Sequence, residues 1–243
     1  MKILGIIPAR YASTRFPGKP LVDVAGKPMI RRVYEQSKQS EGLDEVVVAT
    51  DDERIADEVI RFGGKVELTS EKHRNGTERC AEVLERYPDY DYVVNIQGDE
   101  PFIKPQQIDG LCDLLDGSVQ LGSMVKKIED PALLDNPSIM KVIMNKFHEA
   151  IYFSRTAIPY VRDYPKDEWL QHHTFYKHIC IYAYRSDILF EITNLPPADL
   201  ETSESLEQLR WIENGYKIKI GITEFESHSV DTPQDLERIL NHL

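Results

Sequence analysis

The chain has 243 residues and a formal net charge of −12, because 41 Asp and Glu outnumber 29 Lys and Arg. This balance argues against a protein that binds nucleic acid or an anionic membrane, since both ligands require a surplus of cations. Hydrophobic residues make up 41% of the chain and charged residues 29%. These are the proportions of a folded globular protein, with either one large α/β domain or two small ones.

Three cysteines, Cys80, Cys112 and Cys180, show no C-x-x-C spacing. An odd number without that spacing indicates neither a disulfide framework nor a zinc site. The N-terminal apolar run is too short for a signal peptide, and no run of about 18 apolar residues occurs. We therefore expect a cytoplasmic protein.

Short β-branched runs alternate with helical stretches, which predicts an α/β fold with a wound, mostly parallel sheet and helices on both faces. The predicted strands are Lys2–Ile7, Glu45–Ala49, Lys65–Leu68, Tyr92–Ile96, Gly122–Val125, Met140–Met144, His178–Tyr184, Lys217–Ile222 and His228–Val230. The predicted helices are Pro28–Ser40, Glu53–Phe62, Thr77–Arg86, Pro105–Asp116, Arg185–Asn194, Ser205–Asn214 and Pro233–His242.

The segment from about residue 130 to residue 176 breaks this alternation. It is rich in proline and contains the aromatic residues Tyr160, Tyr164, Trp169, Phe175 and Tyr176. We interpret it as an insertion on a single domain of residues 1–243, whose exposed aromatics predict a dimer surface. The alternative is a loop packed against its own domain.

The last helix has the strongest start signals. Thr232 is a suitable N-cap, Pro233 suits the first helical position, and Asp235 stands where a capping box places an acid. A packing stripe follows at helical spacing, formed by Leu236, Ile239, Leu240 and Leu243. Asp231 is therefore held at the entrance of an anchored helix.

A short loop after the first strand concentrates cations in this acidic chain. It places Arg10, Arg15 and Lys19 within ten residues, together with Ser13, Thr14 and Gly18. Such a set of charged and polar donors is typical of a diphosphate or triphosphate site, although the loop is neither a Walker A motif nor a G-x-G-x-x-G turn. The alternative is a solvated basic loop.

Two carboxylates are candidates for a metal site. Asp99 follows the apolar strand Tyr92–Ile96, at the sheet edge where wound sheets bind ligands. Mg²⁺ takes one or two carboxylates from a protein and completes its shell with phosphate oxygens and water. Taken alone, Asp99 fits a turn or N-cap acid equally, and Asp231 fits the helix entrance with Thr232.

The loop Lys72–Arg79 is a candidate for recognition of a nucleotide base. Gly76 allows close approach of the backbone to a ring, while Arg74 and Thr77 can hydrogen-bond to a pyrimidine edge. A helix cap surrounded by solvated charges is the alternative on local grounds.

Several sequence blocks together resemble the CMP-sugar synthetase family, in particular the 3-deoxy-manno-octulosonate (Kdo) cytidylyltransferases. Besides the cationic loop, the matching blocks are residues 49–52, 75–79, 95–101, 153–155, 176–178, 206–210 and 230–233, in family order over nearly the whole chain. The resemblance implies a nucleotide-diphospho-sugar transferase fold. It also implies Mg²⁺ as cofactor, a homodimer, and the reaction CTP + Kdo → CMP-Kdo + diphosphate, which serves lipopolysaccharide biosynthesis.

The resemblance also implies residue roles. Four residues are implied to be catalytic: Lys19, Arg10, Asp99 and Asp231. Arg15 and Gln97 are implied to bind the nucleotide together with Arg10 and Lys19, and Asp231 is implied to lie beside Asp99 as the second magnesium ligand. For the sugar acid it implies Arg155 and His178 near the carboxylate or hydroxyls, and Glu207 and Gln208 on other hydroxyls. Relatives often read Ser-Gly-Thr-Asp-Arg at residues 75–79, so Asn75 and Glu78 depart from the pattern.

The residues offer no obvious general base for attack of the sugar hydroxyl on the α-phosphorus. Two alternatives stay open at this point. One is CMP transfer to another 2-keto sugar acid, a nonulosonate or 8-amino-Kdo. The other is a non-catalytic nucleotide-binding regulatory module.

Overall fold

A computed structural model describes residues 1–12, 15–226 and 228–240. In chain order its strands are β1 (Ile3–Ala9), β2 (Asp23–Val24), β3 (Lys27–Pro28), β4 (Glu45–Thr50), β5 (Val66–Leu68), β6 (Tyr92–Asn95), β7 (Leu121–Lys127), β8 (Lys141–Met144), β9 (Ala150–Ser154), β10 (Tyr176–Arg185) and β11 (Ile218–Ile222). Its helices are α1 (Met29–Ser37), α2 (Glu53–Arg61), α3 (Gly76–Leu84), α4 (Pro105–Cys112), α5 (Trp169–His172), α6 (Ser186–Thr193), α7 (Asp199–Glu204), α8 (Gln208–Glu213) and α9 (Pro233–Leu240). Within these ranges, no helix combines the length and apolarity needed to cross a bilayer.

The main sheet has the strand order β11-β7-β10-β6-β1-β4-β5. Strands β6, β1, β4 and β5 are mutually parallel, whereas β10 runs antiparallel to both β6 and β7. Asn95, the last residue of β6, pairs with Tyr182 in the middle of β10. The first half of β10 therefore continues past the carboxyl ends of β6 and β1, where ligands bind in wound sheets.

Helices cover both faces of this sheet, as the alternating pattern predicts. On one face, Ile30 of α1, Ile55 of α2 and Ile108 of α4 belong to one buried apolar cluster. On the other face, Val83 of α3 and Trp211 of α8 belong to a second cluster. The sheet is thus enclosed between two apolar layers, which leaves its edges and strand ends for polar functions.

Most predicted elements are confirmed with shifted ends, but two predictions are wrong. His228–Val230 is not a strand in the structure; it passes the end of β6, where the Val230 amide donates a single hydrogen bond to the Asp99 carbonyl. The predicted helix Ser205–Asn214 begins only at Gln208, because Ser205 adopts a left-handed conformation that ends α7 (φ 51°). Strands β2 and β9 and helices α5 and α7 lie outside the predicted elements, and β3 overlaps them only at Pro28.

The segment from residue 130 to residue 176 is tied to the main sheet. Strands β8 and β9 form a hairpin, and β8 pairs with the start of β10. Ile128, Trp169 and Phe175 belong to a small apolar cluster of this region. Tyr160 is 73% exposed, so at least one of the predicted aromatic residues remains on the surface.

The last helix has the predicted capping box. The Thr232 hydroxyl accepts a hydrogen bond from the Asp235 amide, and the Asp235 carboxylate accepts one from the Thr232 amide. Leu236 and Ile239 pack against the segment that contains Val24 and Met29. Leu243 and His242 lie outside the described residues.

Candidate active site

Charged side chains from three distant segments meet beyond the carboxyl ends of β1 and β6. We call this cleft the charged compartment and define it by Arg10, Arg15, Lys19, Asp99 and Asp231. Arg10 directly follows β1, and Asp99 lies four residues beyond β6. The cleft is built from the residues that the cationic loop and the two acidic positions predict; Ser13 and Thr14 of that loop lie outside the described residues.

Lys19 is the centre of the charged compartment. Its ammonium nitrogen lies 2.7 Å from a carboxylate oxygen of Asp99 and 3.4 Å from one of Asp231. Arg15 reaches the same Asp231 oxygen at 3.0 Å. The Lys19 side chain is only 14% exposed. Two carboxylates and two cations therefore converge although 80 residues separate Lys19 from Asp99 and 212 separate it from Asp231.

The floor of the cleft depends on close contact between neighbouring strand ends. A Cβ atom at Gly98 would lie 2.7 Å from the carbonyl oxygen of Pro8, and one at Gly76 would lie 3.3 Å from the Pro8 side chain. Only glycine allows the first of these approaches, since backbone atoms cannot yield as a flexible side chain does. The first turn of α3 is thereby held against the end of β1.

A second pocket adjoins the first and shares Gly76 and Gln97 with it. We call it the inner compartment. Its walls come from β6, β10, the start of α3 and the segment leading into α8; the residues used below are Asn95, His178, Cys180, Tyr184, Glu207 and Gln208.

Glu207 is the acidic group of the inner compartment, and it collects hydrogen bonds from α3. The Asn75 amide nitrogen donates to one carboxylate oxygen at 2.8 Å, and the Thr77 hydroxyl donates to the other at 2.9 Å. Burial raises the pKa of Glu207 to about 7, while the Thr77 hydrogen bond lowers it. The carboxyl group consequently titrates near neutral pH.

The hydrogen bonds behind Glu207 run in one direction. Because Thr77 uses its proton on Glu207, its oxygen accepts from the Tyr184 hydroxyl at 3.3 Å. Tyr184 in turn accepts from the Asn95 amide nitrogen at 3.2 Å. The buried Asn95 amide oxygen has no hydrogen-bond partner within the described part of the chain. The chain of donors therefore ends in an acceptor on the wall of the inner compartment.

His178 lies at the start of β10 and is buried in the same wall. Burial lowers its pKa to about 3, so the imidazole is neutral at physiological pH. Its Nε2 atom lies 2.8 Å from the hydroxyl oxygen of Ser123. A neutral ring can exchange hydrogen bonds with a ligand but provides no charge for a carboxylate.

Comparisons with known proteins show the family of the chain. The cytidylyltransferase family model matches residues 4–220. The 3-deoxy-manno-octulosonate cytidylyltransferase of Parabacteroides distasonis is 56% identical over 100% of this chain and 98% of its own length. The protein of the same name from Cytophaga hutchinsonii is 53% identical over 98% of this chain and 96% of its own. The chain belongs to the cytidylyltransferase family.

A solved structure extends the comparison to three dimensions. The CMP:2-keto-3-deoxy-manno-octonic acid synthetase complexed with CTP superposes with a TM-score of 0.93 at 40% identity, covering 100% of this chain and 98% of that one. The predicted α/β nucleotide-diphospho-sugar transferase fold is confirmed. The resemblance that the sequence blocks indicate is confirmed as well.

Not every predicted site residue of this cytidylyltransferase reaches the two compartments. Arg74 lines neither compartment and pairs with Glu78 at 2.6 Å. Thr77 lines the inner compartment rather than the charged one. Gly76 and Gln97 lie where the compartments meet, and Gln208 lines the inner one beside Glu207.

Arg155, expected on the sugar acid, is engaged with the protein backbone. Its guanidinium donates to the carbonyl oxygens of Glu204 at 2.7 Å, Pro137 at 3.0 Å and Ser205 at 3.2 Å. Arg155 therefore holds the turn between α7 and α8, which leads directly to Glu207. The structure thus assigns this arginine a supporting position.

Sequence reasoning missed several polar groups of the site, among them Asn95, Tyr184 and Ser123. Asn95 and Tyr184 line the inner compartment, and Ser123 lies behind it. One signal was present, since Asn95 is a polar residue at the end of a buried apolar strand, where an amide is costly to bury without a purpose. Ser123 and Tyr184 lie within strands and carry no such signal.

The charged compartment fits a magnesium ion bound together with phosphate. The described residues contain no cluster of three or more His, Cys, Asp or Glu side chains placed to hold a metal. Asp99 and Asp231 instead form a pair bridged by one ammonium group. Two carboxylates are the share that Mg²⁺ usually takes from a protein when phosphate oxygens and water complete its coordination.

Proposed function

We propose that this chain transfers a cytidylyl group from CTP to 3-deoxy-D-manno-octulosonate, forming CMP-Kdo and diphosphate. The observation that carries the proposal is the junction of two unlike compartments at Gly76 and Gln97. One is built for phosphate and the other for hydroxyl groups. Relatives that are 53–56% identical over almost the whole chain bear the name of this activity.

The reaction requires in-line displacement at the α-phosphorus. The oxygen of the 2-hydroxyl of the sugar forms a bond to the α-phosphorus, the bond from that phosphorus to the bridging oxygen of the β-phosphate breaks, and diphosphate leaves. The hydroxyl proton is lost to solvent. Catalysis of this kind depends mainly on positioning and on neutralisation of charge.

The charged compartment supplies that neutralisation. Arg10, Arg15 and Lys19 line it, so a triphosphate placed there meets three cations. When bound by Asp99 and Asp231, Mg²⁺ supplies further positive charge to the phosphate oxygens. In the described structure Lys19 lies between these two carboxylates, and a phosphate group would compete with them for its ammonium group.

The inner compartment holds the sugar in this proposal. Glu207 and the His178 ring present acceptors to hydroxyl groups, and Gln208 adds a donor and an acceptor. The sugar carboxylate is then oriented toward the cations of the charged compartment. Gln97, at the junction, is placed to contact the ribose or a phosphate, and Gly76 leaves room for the nucleotide.

Diphosphate release from CTP, Kdo and Mg²⁺ tests this function directly. We expect turnover with Kdo to exceed turnover with 8-amino-Kdo and with a nonulosonate, and we expect EDTA to abolish it. Higher turnover with another 2-keto acid would show that this acid, and not Kdo, is the substrate. If none of these acids released diphosphate, the chain would instead be a non-catalytic nucleotide-binding module.

We further propose that the product serves lipopolysaccharide biosynthesis, as the family resemblance implies.

We also propose a homodimer formed through the segment of residues 130–176. The exposed Tyr160 and the exposed Phe147 of the β8–β9 hairpin support this dimer, together with the family resemblance. Sedimentation equilibrium of the wild type and of Y160E checks it. A wild-type monomer at micromolar concentration would contradict the dimer.

A further inference from the structure

The start of β10 contains a bulge that reorients its backbone beside β7. Met124 of β7 pairs with Ile179, but the next pair joins Ser123 to Tyr182, so Cys180 and Ile181 lie between successive pairs. Bulges of this kind redirect side chains and carbonyl groups locally. Here the Ile181 carbonyl oxygen accepts a hydrogen bond from the Ser123 hydroxyl at 2.8 Å.

This hydrogen bond fixes the direction of the next one. A serine hydroxyl has one proton, and a carbonyl oxygen can only accept, so the Ser123 proton lies toward Ile181. The contact of 2.8 Å between the Ser123 oxygen and Nε2 of His178 therefore needs the proton of the ring. His178 accordingly carries its proton on Nε2, and Nδ1 presents a lone pair.

The lone pair of Nδ1 lies on the side of the inner compartment. Nδ1 is 3.7 Å from the Cys180 sulfur, and both residues line the pocket. A thiol is only a weak donor, which leaves Nδ1 available to a stronger one. The rings of Phe153 and Tyr182 pack against the imidazole with centroid distances of 5.1 Å each, so the ring has little room to turn over.

We propose that Ser123 is a positioning residue that fixes the tautomer of His178, so that Nδ1 accepts a hydrogen bond from a hydroxyl group of the sugar. The inference rests on the proposed function for the identity of the sugar. The proposal places a hydroxyl group of the sugar opposite His178. A carboxylate has no proton to donate, so its lone pairs would repel the lone pair of Nδ1. Glu207, which lines the same compartment, is also an acceptor and favours the same kind of ligand group.

Nitrogen-15 spectra of histidine-labelled protein test the tautomer without any substrate. The chain has seven histidines, and the His178 signal is the one that disappears in H178Q. We expect wild-type His178 at neutral pH to carry its proton on Nε2. In S123A, which removes the acceptor, we expect the Nδ1-protonated form to appear, whereas S123T retains a hydroxyl and should retain the wild-type tautomer.

Steady-state kinetics of the same variants provide the second measurement. In S123A we expect the KM for Kdo to rise about tenfold, as for one lost hydrogen bond, with kcat and the KM for CTP changed less than about twofold. Wild-type His178 protonated on Nδ1, or S123A with both an unchanged tautomer and an unchanged KM, would overturn the proposal. So would an equal loss for both substrates, which a general packing defect produces.

The spectra and the kinetics also separate this proposal from the proposed function. If the wild type releases no diphosphate from CTP and Kdo, the assigned reaction fails, and with it the assignment of the sugar hydroxyl. The spectra then still confirm or refute the fixed tautomer, since they contain no substrate.

Discussion

The two compartments differ in the interactions that they offer to a ligand. The charged compartment uses full charges on side chains that are partly exposed, and its cations are paired with its carboxylates through Lys19 and Arg15. The inner compartment uses buried groups whose hydrogen bonds have fixed directions, with a neutral histidine and a carboxyl group that titrates near pH 7. Charge recognises phosphate from any direction, whereas the positions of hydroxyl groups require oriented acceptors.

The largest expected effect comes from the carboxylate pair. We expect D99N and D231N each to lower kcat about a thousandfold, because a catalytic metal contributes several kcal/mol to the transition state. The double variant should be scarcely slower than either single one, since the two groups serve one assembly. Diphosphate release at varied Mg²⁺ concentration measures this. Full activity of D231N with an unchanged Mg²⁺ optimum would return Asp231 to the role of a residue at the helix entrance.

The second largest effect is expected from removing the Lys19 ammonium group at the centre of the charged compartment. K19A removes the ammonium group shared by Asp99 and Asp231, and a charge-assisted phosphate contact contributes roughly 1.5–3 kcal/mol, or about one to two decades in kcat/KM. The KM for Kdo should stay nearly unchanged. K38A removes an exposed lysine that pairs only at 3.4 Å with Glu45 and serves as the matched control. Equal kinetics of K19A and K38A would contradict the assignment.

The pH dependence of the KM for Kdo tests the role of Glu207 in the inner compartment. A carboxylate accepts hydroxyl protons better than a carboxylic acid does, so the KM for Kdo should fall as the pH rises from about 6 to about 8, while the KM for CTP follows another course. E207Q should flatten the Kdo profile and raise the KM about tenfold. Initial rates at saturating CTP measure this. A profile of E207Q parallel to that of the wild type would assign the titration to another group.

The same group links stability to pH. The folded protein raises the pKa of Glu207 from 4.5 to about 7, so the folded state binds the proton more tightly than the unfolded state. The contribution of Glu207 to the free energy of unfolding therefore declines between about pH 4.5 and about pH 7, by on the order of 3 kcal/mol. Denaturant unfolding of the wild type and E207Q across this range should show the decline only in the wild type.

The smallest expected effect on activity comes from Arg155, which supports the inner compartment from outside. R155K keeps the charge but loses the planar set of donors that serves three carbonyl groups. We expect the free energy of unfolding to fall by about 1–3 kcal/mol, with the KM for Kdo raised less than about threefold. Denaturant unfolding and kinetics measure the two. A large rise in KM at unchanged stability would instead place Arg155 on the sugar.

The contrast between the compartments also explains what the sequence could predict. Arg10 and Asp99 stand out because they follow apolar strands whose carboxyl ends converge in a wound sheet, and Lys19 stands out because it belongs to a cluster of cations in an acidic chain. Thr77, by contrast, reaches its place through pairing with Glu207 across 130 residues of sequence. The direction of such hydrogen bonds depends on tertiary contacts that no local pattern contains.

The fold shows the same limit. Strand β4 is predicted correctly from its run of β-branched residues. Helix α2 lies in a predicted helical stretch, and in the structure Asp52 caps its N-terminus. The predicted helix Ser205–Asn214 begins at the residue that ends α7, and α7 itself lies outside the predicted elements, because no glycine or proline marks the break at Ser205. Val230 resembles a strand residue because it is β-branched and buried, yet its amide pairs with a turn.

The residues of the charged compartment are synthesised at different times, and the hydrogen bond from the Val230 amide to the Asp99 carbonyl joins the late segment to the early one. Lys19 and Asp99 are synthesised more than 130 residues before Asp231. A ribosome-bound chain can therefore complete β1 and β6 long before its second carboxylate exists. Until then the cations of the charged compartment are present without the Asp231 carboxylate that contacts both Lys19 and Arg15, so the compartment is complete only after residue 231 has been added.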